Sequence, residues 1–352
     1  MSNWRDNIRL VEPYVPGEQP DFPDMVKLNT NENPYPPSPK VFKAIKDFDA
    51  DTLKLYPDPS LHLLVDAIAK NYGIEDNQVF TGIGSDDVLA IAFMTFFNSK
   101  KPILFPDITY SFYSVWAKLF KIPYKSPELD KDFMIKAKDY YSDNGGIVIA
   151  NPNAPTGISQ SEDFLIDIIE HNRDVIVIID EAYVDFCGKS ALHLTKRYDN
   201  VLVVQTCSKS RSLAGMRIGY AMGNPELIKA MDDVRLSFNS YPMTRLSIAV
   251  GKAAMEDADY YKETTKKIIE TREWTKKELK RLGFTFGDSE TNFIFAVHSS
   301  FKAEYIFRKL KEKHIFVRHF NSPRIDNYLR ISIGTQEQMQ YFITELEKIL
   351  MK

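Results

Sequence analysis

Short apolar runs and segments of helical spacing alternate through the middle of this 352-residue chain. The runs Ile103-Leu104-Phe105, Ile147-Val148-Ile149-Ala150, Val175 to Ile179, Val201 to Val204 and Ile218 to Met222 are continuous and mostly rich in Val and Ile. That is the pattern of strands covered on both faces. Residues 85–98, 110–120 and 161–172 fit helices between them. This alternation predicts an α/β fold, with a large domain built on a mostly parallel open sheet flanked by helices. Helical spacing also marks 40–48 and 60–72, with Ser60 as the expected N-cap of the second. Residues 255–283 read as one long charged helix carrying apolar Ile268, Ile269, Trp274, Leu279 and Leu282. A smaller α/β unit follows, with strands at Phe293 to Val297, Ile315 to Val317 and Leu329 to Ile333 and helices at 302–313 and 336–351.

Residues 13–39 hold eight of the 19 prolines. Proline lacks an N–H and disfavours helix at the residue before it, so this stretch is expected to be extended. Its apolar anchors Tyr14, Val15, Phe22, Met25, Val26 and Leu28 mark an arm crossing a surface rather than a free linker. The expected division is an arm at 1–40, packing with the small domain and a dimer partner, a large domain at 41–255 and a small domain at 256–352. The net charge of −3 gives no electrostatic case for nucleic acid or an anionic membrane surface. No apolar run approaches a membrane span, and the polar start Met1-Ser2-Asn3-Trp4-Arg5-Asp6 is not a signal peptide, so a cytoplasmic location is expected. Cys187 and Cys207 suffice for neither a disulfide framework nor a zinc site, and no metal is expected.

Ligands of open α/β sheets gather at the carboxyl ends of the strands. Gly82-Ile83-Gly84-Ser85-Asp86-Asp87 opens a helix there, and free N–H groups of a first turn can hold a phosphate. A plain glycine turn is the commoner meaning of such a stretch. Asn151-Pro152-Asn153-Ala154-Pro155-Thr156-Gly157 follows a strand and is either a stiff turn or a turn aiming amides into a cleft. Asp180 ends a very apolar run, where an ionised carboxylate needs a partner. It is a helix cap, a strand-end ion pair, or the partner of a protonated ring nitrogen, with Tyr183 three residues on. Lys209, in Ser208-Lys209-Ser210-Arg211-Ser212-Leu213-Ala214-Gly215-Met216-Arg217, is a solvated loop lysine or a residue that condenses with an aldehyde cofactor. Arg330 is flanked by strand residues and is either surface charge or an anion-binding group.

The joint order of Asn-Pro-x-x-Pro-Thr-Gly, Asp-Glu-Ala-Tyr and Ser-Lys-x-x-x-Leu-Ala-Gly-x-Arg-x-Gly resembles the class I/II aminotransferase superfamily of fold-type I pyridoxal-phosphate enzymes. The resemblance runs from about residue 10 to the end. It implies pyridoxal 5'-phosphate as cofactor, with Lys209, Asp180 and Tyr183 as catalytic residues. Lys209 would carry the cofactor and move the proton, Asp180 would keep the ring nitrogen protonated, and Tyr183 would meet the ring hydroxyl. Tyr110 would stack on the ring. Gly84, Ser85, Asp86, Thr206, Ser208 and Arg217 would surround the phosphate, and Tyr56 would reach the phosphate of a neighbouring subunit, implying a homodimer with shared sites. The family's usual Asn before Pro-Thr-Gly is Ala154 here, and Asn153, Asn151 or Tyr183 alone is left to supply its contact, with Asn153 favoured.

The arm motifs Glu12-Pro13-Tyr14-Val15-Pro16-Gly17 and Leu28-Asn29-Thr30-Asn31-Glu32-Asn33-Pro34, with Tyr56-Pro57-Asp58-Pro59, resemble the histidinol-phosphate aminotransferases. That resemblance implies transamination between L-histidinol phosphate and 2-oxoglutarate, in histidine biosynthesis. Substrate contacts would come from Tyr14, Asn31, Arg318 and Arg330, with Arg324 a competitor for the phosphate. One arginine fork can serve a phosphate on one substrate and a carboxylate on the other. Threonine-phosphate decarboxylase and aromatic amino-acid aminotransferase are the alternatives in the same superfamily. A DNA-binding regulator with an aminotransferase-like domain is disfavoured, because the pattern leaves no room for a winged-helix module.

Overall fold

A computed structural model of the chain describes residues 3–351. The strands are β1 Val26–Lys27, β2 Val79–Gly82, β3 Ile103–Leu104, β4 Tyr124–Lys125, β5 Ile147–Ala150, β6 Val177–Asp180, β7 Val201–Thr206, β8 Gly219–Gly223, β9 Phe284–Phe286, β10 Phe293–His298, β11 Ile315–Phe316, β12 Arg318–His319 and β13 Leu329–Ser332. The α-helices are α1 Pro39–Lys46, α2 His62–Tyr72, α3 Ser85–Phe96, α4 Phe112–Phe120, α5 Glu162–Glu170, α6 Pro225–Phe238, α7 Arg245–Met255, α8 Ala258–Arg281, α9 Ala303–Lys311 and α10 Gln336–Leu350.

Seven strands form one sheet in the order β2-β8-β7-β6-β5-β3-β4. The pairs from β7 to β4 are parallel, and β8 runs antiparallel to both its neighbours. The expected mostly parallel open sheet is present, with one reversed strand that hydrophobicity alone does not distinguish. Its central strands are buried on both faces for a simple reason. Ile147, Ile149, Ile179 and Val203 enter one apolar cluster, while Val148, Ile178, Leu202 and Val204 enter another across the sheet. Alternate side chains of a strand point to opposite faces, so a run of unbroken Val and Ile feeds two helical layers at once. Each fully buried aliphatic side chain contributes on the order of 1.5–3 kcal/mol.

A second sheet, ordered β12-β13-β10-β9 and antiparallel, packs with α8, α9 and α10 around a core that includes Phe293, Ile294, Ile331, Phe342 and Leu346. The arm is extended, and its β1 adds in parallel to β11, with Val26 opposite Ile315. The arm therefore adds a strand beside β11.

Several local expectations are corrected. Residues 225–255, left without elements by periodicity, form α6 and α7. The long helix starts at Ala258, after a break at Asp257. Ser60 does not cap α2: the cap position is Leu61, in a left-handed conformation with φ 56°, and no side chain caps it. The Ser60 hydroxyl instead donates to Asp58, whose carboxylate also accepts from the His62 amide at 3.2 Å. The carboxylate wins because it accepts several donors at once.

Candidate active site

The register of the parallel strands puts Ala150, Asp180 and Val204 side by side at the carboxyl end of the sheet. The loops leaving β5, β6 and β7 start there, and they enclose a cavity of about 170 Å³. Asp180, Tyr183, Lys209, Arg217, Tyr110 and Ser85 all line it, together with Asp86, Thr206 and Ser208. Residues scattered along the chain from Ser85 to Arg217 thus share one chamber because the strands are in register.

Asp180 is 5% exposed. One carboxylate oxygen accepts from Tyr113 Oη at 2.6 Å and the other from the Ala182 amide at 3.2 Å. Burial pushes its pKa up to about 6, against these two donors and Lys209, which pull it down. A buried carboxylate with a desolvation penalty still to be offset is suited to a cationic N–H partner. Tyr113 is fully buried, and its own phenol is driven well above its usual range, first by burial and then by Asp180. Tyr113 escaped the sequence reading because an aromatic at helical spacing looks like core, which it also is.

The same chamber gathers an uncapped helix start, an arginine and two hydroxyls. Gly84 caps α3 with φ 83° and no side-chain hydrogen bond, leaving first-turn N–H groups free of a cap. A Cβ on Gly84 would lie 2.6 Å from Arg217 Nη2, and one on Gly219 would lie 2.2 Å from the Ser85 amide nitrogen. Both glycines are needed for the close approach of backbone and guanidinium. Arg217 itself is in the left-handed region, with φ 51°. Its Nη2 meets Asp86 Oδ2 at 3.1 Å, and Asp86 Oδ1 accepts from Tyr110 Oη at 2.6 Å. Thr206 and Ser208 hydroxyls lie 2.9 Å apart beside this cup.

Lys209 faces the arm. Its Nζ lies 3.4 Å from the Thr30 carbonyl and 5.7 Å from the Tyr183 ring centroid. Asn33 Nδ2 donates to the carbonyls of Lys209 and Ser210, each at 3.0 Å, and so fixes the backbone that carries the amine. Glu32 also lines the cavity and pairs with Lys27. Tyr183 is buried edge-on against Phe293, with ring centroids 5.1 Å apart. Sequence reading used the arm motif only for resemblance and did not foresee these contacts of Asn33 and Glu32.

Two arginines stand beyond the chamber. Arg318 and Arg330 are cross-strand neighbours in the β12–β13 pair. Like charges placed opposite each other repel, unless an anion sits between them. Arg330 stacks over Phe293 and Phe320, donates to the Asn29 carbonyl at 3.0 Å, and leaves its Nε buried without a partner. Burial, with Arg318 adding to it, holds its pKa below the usual arginine value. Gly17 of the arm passes so close that a Cβ would lie 3.3 Å from Arg318 Nη1. Tyr14 lies on Phe112, with centroids 4.3 Å apart.

Four expected residues sit elsewhere. Asn153 is spent on the Ile108 carbonyl, at 2.9 Å, and on Thr109 and Thr156, and is not among the cavity's lining residues. It holds the turn rather than replacing the amide lost at Ala154. Asn31 is 1% exposed, is bonded through its side chain to Tyr183 and Ser332, and is not among the cavity's lining residues. Arg324 is committed to Asp107, at 2.5 Å, and to the Leu129 and Asp130 carbonyls, so it is not free for a phosphate. Tyr56 lies outside this chamber, 77% exposed and tilted against Tyr241.

The sequence profile of the aminotransferase class I and II family matches residues 23–346. The chain belongs to that family. It is a transaminase, and as a member of this family it takes pyridoxal phosphate as cofactor. It is 51% identical to a histidinol-phosphate aminotransferase of Clostridium botulinum (strain Okra / Type B1), over all of both chains. The structure of a histidinol-phosphate aminotransferase from Sinorhizobium meliloti in complex with pyridoxal-5'-phosphate superposes with a TM-score of 0.84 at 24% identity, covering 93% of this chain and 91% of that one. L-threonine-O-3-phosphate decarboxylase from Porphyromonas gingivalis shares the fold too, with a TM-score of 0.78 at 19% identity, covering 93% and 100%. At these identities the two structures bear on the fold alone. The chamber fits the cofactor on its own terms: a buried carboxylate for a ring N–H, a lysine amine in the wall, and an arginine and helix start held close by Gly84 and Gly219, where an added Cβ would collide with backbone or guanidinium.

Proposed function

We propose that this aminotransferase exchanges the amino group of L-histidinol phosphate with 2-oxoglutarate. The carrying observation is the identity of 51% over the whole chain to a histidinol-phosphate aminotransferase, joined to a paired-arginine anion site beside the cofactor chamber. Pyridoxal phosphate supplies an aldehyde for the substrate amine and a ring that withdraws electrons from the amine-bearing carbon. Every other task falls to the chain. The first-turn amides of Ser85 and Asp86, with Ser208, Thr206 and Arg217, bind the cofactor phosphate. Asp180 accepts the ring N–H and keeps that proton in place, with Tyr113 holding the carboxylate. Tyr183 donates its hydroxyl proton into the chamber. Tyr110 covers one face and limits water. Lys209 would hold the cofactor through its Nζ, and that amine would move the proton of the substrate's amine-bearing carbon.

Arg330 and Arg318 bind the distal anion, which is a phosphate on one substrate and a carboxylate on the other. The active form is a homodimer in which Tyr56 completes the phosphate site of the partner. The exposed Leu53, Leu55, Tyr56 and Phe238 support this, because such apolar groups gain from burial against a second copy. Among the described residues no helix is long and apolar enough to cross a membrane, and no cluster of side chains suits a metal. The test is an absorbance titration of purified protein with L-histidinol phosphate, phenylalanine and O-phosphothreonine. Conversion of the cofactor to its amine form by histidinol phosphate at the lowest concentration is expected. Preference for phenylalanine, or carbon dioxide release from O-phosphothreonine, would move the assignment to one of the alternatives.

A further inference from the structure

The contacts of Asn31 define a hydrogen-bond chain with a fixed direction. Asn31 lies in the left-handed region with φ 56°, a conformation asparagine tolerates better than most residues. Its own amide N–H donates to Ser332 Oγ at 2.9 Å, so that hydroxyl already accepts. The Ser332 hydroxyl donates in turn to Asn31 Oδ1 at 2.9 Å. With its oxygen occupied as acceptor, the Asn31 side chain presents Nδ2 to Tyr183 Oη, at 2.9 Å. Asn292 closes the assembly by donating to the Asn31 carbonyl at 3.0 Å. An amide N–H has no lone pair to accept with, so Tyr183 Oη must be the acceptor in this contact. The phenolic proton is then left to point elsewhere, and the cavity that Tyr183 lines is the open direction. Ala154, also on that cavity wall, has no side-chain group that can hydrogen-bond.

We propose that Asn31 is a positioning residue that fixes Tyr183 as a hydrogen-bond donor into the cofactor chamber, rather than a residue that touches substrate. The direction is imposed from Ser332, which lies two residues from Arg330 on the same strand. Side chains two apart on a strand share a face. The adjoining arm residues tie the same segment to both ends of the site, because the Asn29 carbonyl accepts from Arg330 and the Thr30 carbonyl faces Lys209 Nζ. Asn31 therefore stands where the anion-binding strand meets the phenol beside the cofactor. The inference rests on the chamber being the cofactor site. Binding of pyridoxal phosphate by the unsubstituted protein, read by absorbance, tests that reading separately.

The decisive comparison is Asn31→Gly against Asn31→Asp. Glycine keeps the left-handed backbone and removes the side chain. Aspartate keeps the shape but replaces a donor by an acceptor, so the Tyr183 proton turns back toward residue 31 and away from the chamber. Both variants, Tyr183→Phe and the two double variants are measured for cofactor dissociation constant and for the absorbance maximum of bound cofactor at fixed pH. Loss of one such hydrogen bond weakens binding by on the order of tenfold. The expected result is that Asn31→Asp shifts the absorbance maximum and weakens cofactor binding more than Asn31→Gly does, and that neither has a further effect in the Tyr183→Phe background. A larger effect of glycine than of aspartate would mean that residue 31 only shapes the arm, and would overturn the proposal. So would equal effects with Tyr183 intact and in the Tyr183→Phe background.

Discussion

Removing the charge of Asp180 is expected to abolish turnover while making the cofactor-free protein more stable. The unfolded chain ionises this residue near 3.8 and the folded chain near 6. A rise of that size corresponds to about 3 kcal/mol of unfavourable burial once the carboxylate is ionised. The sign follows from where the protons are. Below 3.8 both states are protonated and the penalty is absent. Between 3.8 and about 6 only the unfolded state releases its proton, so native stability falls as pH rises through this window. Above it the penalty is complete. Asparagine at 180 removes the charge and can keep both contacts, its Oδ1 accepting from the Ala182 amide and its Nδ2 donating to Tyr113 Oη. The net gain for Asp180→Asn is therefore about 3 kcal/mol near pH 7.5, shrinking to about 1 kcal/mol near pH 4.5. Glu181 behaves in the same direction, since burial lifts it to about 7, so the difference between variant and wild type, rather than either curve alone, isolates Asp180. The assay is urea denaturation of cofactor-free protein across this range. A variant no more stable than wild type near pH 7.5, or a gain that stays constant down to pH 4.5, refutes the burial penalty.

Lys209→Ala should retain cofactor without a covalent link and lose turnover by at least about 10³-fold, since general acid–base catalysis alone is worth 10²–10⁴; single-turnover absorbance checks it. In Gly219→Ala the new Cβ would sit 2.2 Å from the Ser85 amide nitrogen, so the strand or the helix start must shift. Overpacking of this kind costs about 1–3 kcal/mol, and cofactor affinity measured by fluorescence titration should fall on the order of tenfold or more. Arg330→Ala should raise KM for both substrates on the order of tenfold or more, whereas Arg324→Ala should leave KM within about twofold and lower stability by on the order of 1 kcal/mol. Steady-state kinetics with each substrate and thermal unfolding separate the two arginines.

What was legible in the sequence and what was not divide along a physical line. The central strands were readable because a β-strand buried on both faces needs an unbroken apolar run, and Val201 to Val204 is one. Asp180 and Lys209 were readable because each closely follows such a run, Asp180 after Ile179 and Lys209 after β7. The helices at Pro225–Phe238 and Arg245–Met255 were missed although their caps were visible, with Asn224 before Pro225 and Thr244 before Arg245. Cap chemistry marks both starts, with a proline at the first helical position of the earlier one.

The contact made by Asn31 belongs to a different kind of information. Its bond to Ser332 spans 301 positions, and its bond to Tyr183 spans 152. No local pattern encodes a pairing at that distance, because loop closure is settled by the whole fold. Asn153 looked like the replacement for the amide missing at Ala154 because it is the neighbour in sequence. Yet the side chain of a residue inside a tight turn is claimed first by that turn, as the bonds of Asn153 to the Ile108 carbonyl and Thr156 illustrate. An amide from the arm carries no such local obligation. Its backbone N–H and its side-chain oxygen are both bonded to Ser332, and only its side-chain N–H is left to reach Tyr183. On the proposal above the arm thus acts on the chamber through Tyr183, and Asn31 does not itself stand in for the amide absent at Ala154.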